Sequence, residues 1–254
     1  MSGAHVYKLG GPALEDPGLL APLAAELRAL PGRALVVHGG GHHVDRLLRA
    51  LSIESRFVGG RRETSPAAME VVEMVLSGVV NKGLAAGLTA AGLPAVGISG
   101  RDAGLIGADM QAALGRVGTP MRVDSALLRA LWQADLVPVV SPVSSGPSGE
   151  SVNVNADEAA LALAVALRAQ TLVYLSDADG VLVDGVPVEA LAPAEARRLI
   201  DAGTITGGMS LKVRVALAAA GTGIPEVVVA GKARLQGGFR GTRIVASVPE
   251  PART

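Results

Sequence analysis

Short runs of consecutive apolar, often β-branched residues alternate along the chain with longer stretches in which apolar residues recur every three or four positions. The first pattern describes strands buried on both faces and the second the helices that cover them. The chain therefore reads as an α/β protein, a three-layer sandwich around a central, mostly parallel sheet. Strands are predicted at His5 to Leu9, Ala34 to His38, Ala95 to Ile98, Leu136 to Val140, Leu172 to Leu175 and Glu226 to Val229. Helices are predicted at Leu19 to Leu30, His42 to Leu51, Pro66 to Ala91 with a break near Gly78, Ser125 to Trp132, Asp157 to Ala169, Ala194 to Ala202 and Met209 to Ala219. Short pieces punctuated by glycine, between Arg56 and Arg62 and between Gly104 and Val123, predict hairpins, as a lid or a substrate-facing edge. The passage Ser144-Ser145-Gly146-Pro147-Ser148-Gly149 reads as a loop near the boundary of two lobes, 1–150 and 151–254.

Composition narrows this picture. Two hundred and fifty-four residues suffice for a large core, and 23 acidic residues balance 23 basic ones, so no global field draws the chain to nucleic acid or to an anionic membrane. The absence of cysteine excludes disulfides, thiolate metal sites and thiol nucleophiles. No signal peptide is visible and the apolar run Ala159 to Leu167 is too short to span a bilayer, so a cytoplasmic protein is expected. Aromatic residues make up 2% of the chain, which leaves little for stacking on bases.

Only four of the 23 basic residues are lysines, and two of these, Lys8 in Lys8-Leu9-Gly10-Gly11 and Lys212 in Gly207-Gly208-Met209-Ser210-Leu211-Lys212, stand close to glycines. An ammonium group is a compact point charge where a guanidinium is a bulky fork, so both positions suit anion chemistry. His38-Gly39-Gly40-Gly41 follows a second strand, and consecutive glycines there let the backbone and the next helix's N–H groups approach a phosphate. Asn153-Val154-Asn155-Ala156-Asp157 opens a helix with more polar side chains than one cap uses; Asp157 could sit between the two lysines. Leu175-Ser176-Asp177-Ala178-Asp179-Gly180-Val181 lies at another strand end, and Arg62 is a candidate partner for a carboxylate. Dinucleotide, P-loop and hydrolase-elbow signatures are absent. His5, His38, His42 and His43 lack metal-ligand spacing, and no metal site is expected.

Taken in order, these motifs, with Gly60-Arg61-Arg62-Glu63-Thr64, resemble the amino-acid kinase family over nearly the whole chain, and within it the branch that phosphorylates the side-chain carboxylate of N-acetyl-L-glutamate in arginine biosynthesis. The resemblance implies an acyl amino acid on the N-terminal lobe and ATP on the C-terminal lobe, with Mg2+ carried by the phosphates. Lys8 and Lys212 would stabilise the transferring phosphoryl group and Asp157 would organise them. Gly40, Gly41, Arg62 and Asn153 would hold the substrate. Gly10, Gly11, Asp177, Ala178, Asp179, Gly180, Val181, Leu182, Thr204, Ile205, Thr206 and Met209 would surround the nucleotide. Arg61 departs from the family pattern, where an apolar residue is usual, and leaves room for a larger or more anionic substrate. One alternative is thus an aminoadipate or glutamate linked to a small acidic carrier protein; another is a non-catalytic sensor of nucleotide or amino acid. Arginine-inhibited members form hexamers through an additional N-terminal helix. With only Met1 to Ala4 ahead of the first strand, a homodimer without strong arginine feedback is expected. Gly241-Thr242-Arg243-Ile244 resembles the family's last strand, so a complete chain is expected as well.

Overall fold

Alternation along four central strands decides the architecture. In the computed structural model, which describes residues 3–10, 14, 16–176, 178–231, 235 and 241–245, the first half of the chain runs β1 (Ala4–Leu9), α1 (Leu20–Ala29), β2 (Arg33–His38), α2 (Gly41–Ala50), β3 (Phe57–Val58), β4 (Arg61–Arg62), α3 (Pro66–Glu73), a π-helical segment (Met74–Val80), α4 (Asn81–Ala90), β5 (Ala95–Ser99), β6 (Ile106–Met110), β7 (Val117–Val123), α5 (Ala126–Gln133) and β8 (Val137–Ser141). The second half adds β9 (Val143–Ser145), β10 (Ser151–Val154), α6 (Ala156–Ala166), β11 (Thr171–Ser176), β12 (Leu182–Val183), β13 (Val186–Pro187), β14 (Ala190–Leu191), α7 (Pro193–Asp201), α8 (Gly207–Gly221), β15 (Glu226–Gly231) and β16 (Thr242–Ile244). Eight strands form one sheet in the order β14-β16-β15-β11-β1-β2-β8-β5. All neighbouring pairs are parallel except β15 with β16.

Successive side chains on a strand point to opposite faces. Val6, Leu35, Val37, Leu172, Tyr174, Val227 and Val229 therefore meet α5 to α8 on one face, while Tyr7, Val36, Val173, Leu175 and Val228 meet α1 and α4 on the other. A sheet buried twice over has no polar face, which is why its strands read as unbroken apolar runs. Lys8 shares the first face with Val6 and is aimed at α6 and α8.

One expectation changes. The helix beginning at Pro66, capped by Ser65 Oγ on the Ala68 amide at 3.1 Å, does not break at Gly78; it passes through the π segment and continues to Ala90. A Cβ at Gly78 would meet nothing within 4 Å, so the glycine marks a widened turn and not a close approach. The loop expected at Ser144 to Gly149 turns the antiparallel β9–β10 hairpin, with Ser145 opposite Ser151 and the Gly146 amide on the Glu150 carbonyl at 2.8 Å. That hairpin closes with β6 and β7 into a four-stranded barrel beside the main sheet. The run 66–90 is also long and apolar enough to cross a membrane by composition, but half of its most apolar window is buried against the protein's own core.

Candidate active site

The loop before α6 sets the centre. Asn155 caps the helix, its Oδ1 accepting from the Asp157 and Glu158 amides at 2.9 and 3.3 Å, which fixes Asp157 in the first turn. Asp157 Oδ1 lies 2.8 Å from Lys8 Nζ and 3.6 Å from Lys212 Nζ. All three residues are buried. Burial works against the charge on Asp157, but the two ammonium groups outweigh it and hold the carboxyl below its ordinary range. Two ammonium groups thus share one carboxylate in a place poor in water. Tyr174, paired in register with Lys8, donates to the Asp157 carbonyl at 3.4 Å and lies beneath Lys212, whose Nζ is 5.8 Å from the ring centroid.

Glycines border this cluster because side chains would not fit. A Cβ at Gly10 would come within 3.0 Å of Lys8 Nζ, and one at Gly40 within 3.0 Å of Leu76 Cδ2. Gly40 also has φ +135°, a conformation costly for any other residue. The loop is anchored from below by His38, which is fully buried, with Nδ1 2.8 Å from the Gly39 carbonyl and Nε2 3.0 Å from Asn81 Nδ2. The Asn81 amide also donates to the Val139 carbonyl at 2.8 Å, so His38 Nε2 accepts and Nδ1–H donates. Burial, opposed by the hydrogen bond to Gly39 and assisted by the Lys8 charge, pushes the His38 pKa down to about 4. The imidazole is a neutral strut, and the widened turn before α4 is what brings Asn81 to it.

A cavity of about 210 Å3 opens from Lys8 across Gly39, Gly40 and Gly41 to Phe57, Arg62 and Asn153. Arg62 is buried in its wall: Nη1 reaches Asp45 Oδ1 at 2.5 Å and Ser55 Oγ at 2.8 Å, Nη2 reaches the Gly41 carbonyl at 3.2 Å, and the guanidinium stacks 4.6 Å from the Phe57 ring centroid. Asn153 donates to Thr64 Oγ1 at 3.0 Å. The expected substrate group of Gly40, Gly41, Arg62 and Asn153 is therefore together, on the same cavity as Lys8.

The sequence model of the amino acid kinase family matches residues 4–231. The chain belongs to the amino acid kinase family. It is 44% identical over 251 residues to acetylglutamate kinase of Rubrobacter xylanophilus, covering 94% of this chain and 96% of that protein. It is 42% identical to acetylglutamate kinase of Bacillus subtilis, covering 96% and 97%. Among solved structures, smu.665 of Streptococcus mutans superposes with a TM-score of 0.88 at 26% identity, over 96% of this chain and 99% of that one. The Neisseria gonorrhoeae N-acetylglutamate synthase bound to coenzyme A and N-acetyl-glutamate gives 0.81 at 26% identity, over 97% of this chain and 60% of that one.

A cavity of about 760 Å3 lies between α7 and the N-terminus of α8, lined by Ile205, Thr206, Gly207 and Gly208 and reaching Phe57 and Gly60 of the β3–β4 hairpin. Thr206 makes no side-chain cap, so the first N–H groups of the 15-residue α8 face this opening without a capping side chain, and Lys212 lies on the same helix. Those donors fit a polyphosphate. Thr204, Met209 and Ala178 to Leu182 do not line that cavity. Val181 is wholly buried and gives its amide to Thr242 Oγ1 at 2.8 Å, so its side chain belongs to the core. Gly180, at φ +141°, has room only for hydrogen: a Cβ would lie 2.8 Å from Thr242 Oγ1. Gly11 and Asp177 fall outside the described residues. Among the described residues no three His, Cys, Asp or Glu side chains gather as a metal site.

The residues not foreseen as part of the site are Asp45, Ser55, Thr64, Asn81, Tyr174 and Glu158. Each acts on a predicted residue from another element, and only Glu158 had a visible signal, its place beside Asp157.

Proposed function

We propose that this chain transfers the γ-phosphoryl group of ATP to the side-chain carboxylate of N-acetyl-L-glutamate, giving an acyl phosphate in arginine biosynthesis. The observation that carries this reading is the pair Lys8 and Lys212 on one buried carboxylate, with Lys8 on a small cavity walled by an arginine. The 42–44% identity to acetylglutamate kinases over almost the full chain supports the same substrate. A carboxylate oxygen of the substrate attacks the γ-phosphorus as the bond to the ADP oxygen breaks. The attacking group is already ionised at neutral pH, so no residue has to remove a proton. Lys8 and Lys212 offset charge gathering on the equatorial oxygens, and Asp157 keeps them converged before substrate arrives. N–H groups of Gly40 and Gly41 complete the cradle, while the Gly10 amide is held by the Leu175 carbonyl at 3.2 Å. Arg62 and Asn153 hold the α-carboxylate end. Magnesium supplies further neutralisation of the β- and γ-phosphates.

The lobes follow from the same reading: the acyl amino acid lies with residues up to about 150 and the nucleotide with α7 and α8. The protein works in the cytoplasm as a homodimer. The dimer reading is supported by the exposed Leu51, Met74 and Val79 and by the groove of His43, Arg46, Leu47, Ala50, Val75 and Val79 between α2 and the π segment. Arg61 lines the same cavity and is paired with Glu158, so a carrier-linked substrate would meet a guanidinium already engaged by a carboxylate.

The test is ATP-dependent acyl phosphate trapped as hydroxamate, with N-acetyl-L-glutamate, N-acetyl-L-aminoadipate and free glutamate in parallel. Turnover is expected to be highest on acetylglutamate and lost in Lys8→Ala. Nucleotide binding with no turnover on any of the three would return the sensor reading. Light scattering at the mass of two chains checks the dimer.

A further inference from the structure

Arg61 and Arg62 are neighbours on β4, and a strand turns adjacent side chains to opposite sides. Arg62 takes Asp45 on α2; Arg61 takes Glu158, 97 residues later, in the first turn of α6. Glu158 directly follows the carboxylate that gathers the lysines. Both partners are largely out of water, with 22% and 16% of their side-chain surface exposed.

One side of the hairpin that carries these arginines is held by Arg62, on Asp45 and the Gly41 carbonyl, and its end by the Thr64 amide on the Leu114 carbonyl; toward α6 the ionic tie is Arg61. The hairpin's strands are two residues each, pairing Phe57 with Arg62 and Val58 with Arg61. Phe57 and Val58 are exposed, so apolar burial contributes little there. Arg56 and Glu63 close the stem at its exposed base but tie it only to itself. At the tip, Gly60 adopts φ +79° and lies so close to Leu211, the residue before Lys212, that a Cβ would be 2.9 Å from its Cδ2. The hairpin thus spans the mouths of both cavities, and Arg61 is its ionic link to the helix that bears Asp157.

We infer that Arg61 and Glu158 form a positioning pair, fixing the hairpin against α6 so that Arg62 meets the substrate at a set distance from the lysine cluster. This rests on the reading of Arg62 as the partner of the substrate's carboxylate end. The pair touches no reacting atom; it acts through Arg62. An ionic brace between two otherwise separate elements, shielded from water, is strongly coupled and loses its whole effect when either partner goes.

The test is a cycle of Arg61→Leu, Glu158→Ala and the double variant, with Arg61→Lys as the conservative change. KM for acetylglutamate, KM for ATP, kcat and amide exchange of residues 55–64 are read in each. Each single variant is expected to raise KM for acetylglutamate about tenfold, with kcat and KM for ATP within about twofold, and to speed exchange in the hairpin. The double variant should be no worse than either single, and Arg61→Lys should recover most of the loss. Additive effects, or unchanged exchange, would overturn the brace. Faster exchange with unchanged KM would overturn its link to Arg62. An unchanged KM in Arg62→Lys, by contrast, would defeat the reading of Arg62 itself, and the exchange data would still report on the brace.

Discussion

The two lysines and the two arginines of the site are organised in opposite ways. Lys8 and Lys212 come from elements two hundred residues apart and converge on one carboxylate, Asp157. Arg61 and Arg62 are adjacent in sequence and diverge, each to a carboxylate of its own. Convergence gathers two cations on one carboxylate; divergence gives each guanidinium a carboxylate of its own and ties the hairpin to two different helices. The difference follows from the side chains: an ammonium is a point charge that can share a partner, whereas a guanidinium is a fork that fixes the plane of its partner.

The comparison is broken most severely at the lysines. Lys8→Ala, and separately Lys212→Ala, should each lower kcat about a thousandfold with much smaller changes in either KM, read by the hydroxamate assay. A loss confined to one of them would mean that the two ammonium groups do not act together. Asp157→Asn should cost about 3 kcal/mol in urea unfolding, because two buried cations lose their counter-charge, and should lower kcat about a hundredfold. The neutral His38 sharpens the contrast, since it keeps a third cation out of the site. Its pKa is about 4 in the folded protein against an ordinary 6.5, so the unfolded chain takes up the proton first. Its contribution is complete above pH 6.5 and is lost as pH falls toward 4, by about 3 kcal/mol. His38→Gln should remove that slope from denaturant midpoints measured across the range. The mildest effect is at Arg62: Arg62→Lys keeps the charge and loses the fork, and should raise KM for acetylglutamate about tenfold with kcat nearly constant.

How much of this was legible in the sequence depends on range. Val36, Val37, Val173 and Val228 are buried whichever way they face, so continuous apolar runs announced the central strands within a residue or two of their ends. Lys8, Gly40 and Asp157 were legible because their chemistry is unusual in place. The strands β12, β13 and β14 were not foreseen, since two residues are too few to show an alternation. Nor was the bond between Arg61 and Glu158: an ion pair across 97 residues leaves no periodic trace, and Arg61 alone was read as an opening for a bulkier substrate. Gly78 was misread because low helix propensity is compatible either with an end or with a wider turn, and the packing of Leu76 and Val80 against Gly40 selects the second.

That wider turn makes the site depend on counting as well as on chemistry. A π turn is an α-helix with one residue too many, taken up by widening the turn, so the helix on either side keeps nearly the facing it would have without it. Asn81 reaches His38 because the surplus residue is absorbed between 74 and 80. In this stretch a frame of spacing is inherited together with the residues, and a one-residue insertion between 81 and the π segment, with no second widened turn to absorb it, would turn Asn81 by about 100° away from the imidazole and leave the glycine loop without its prop.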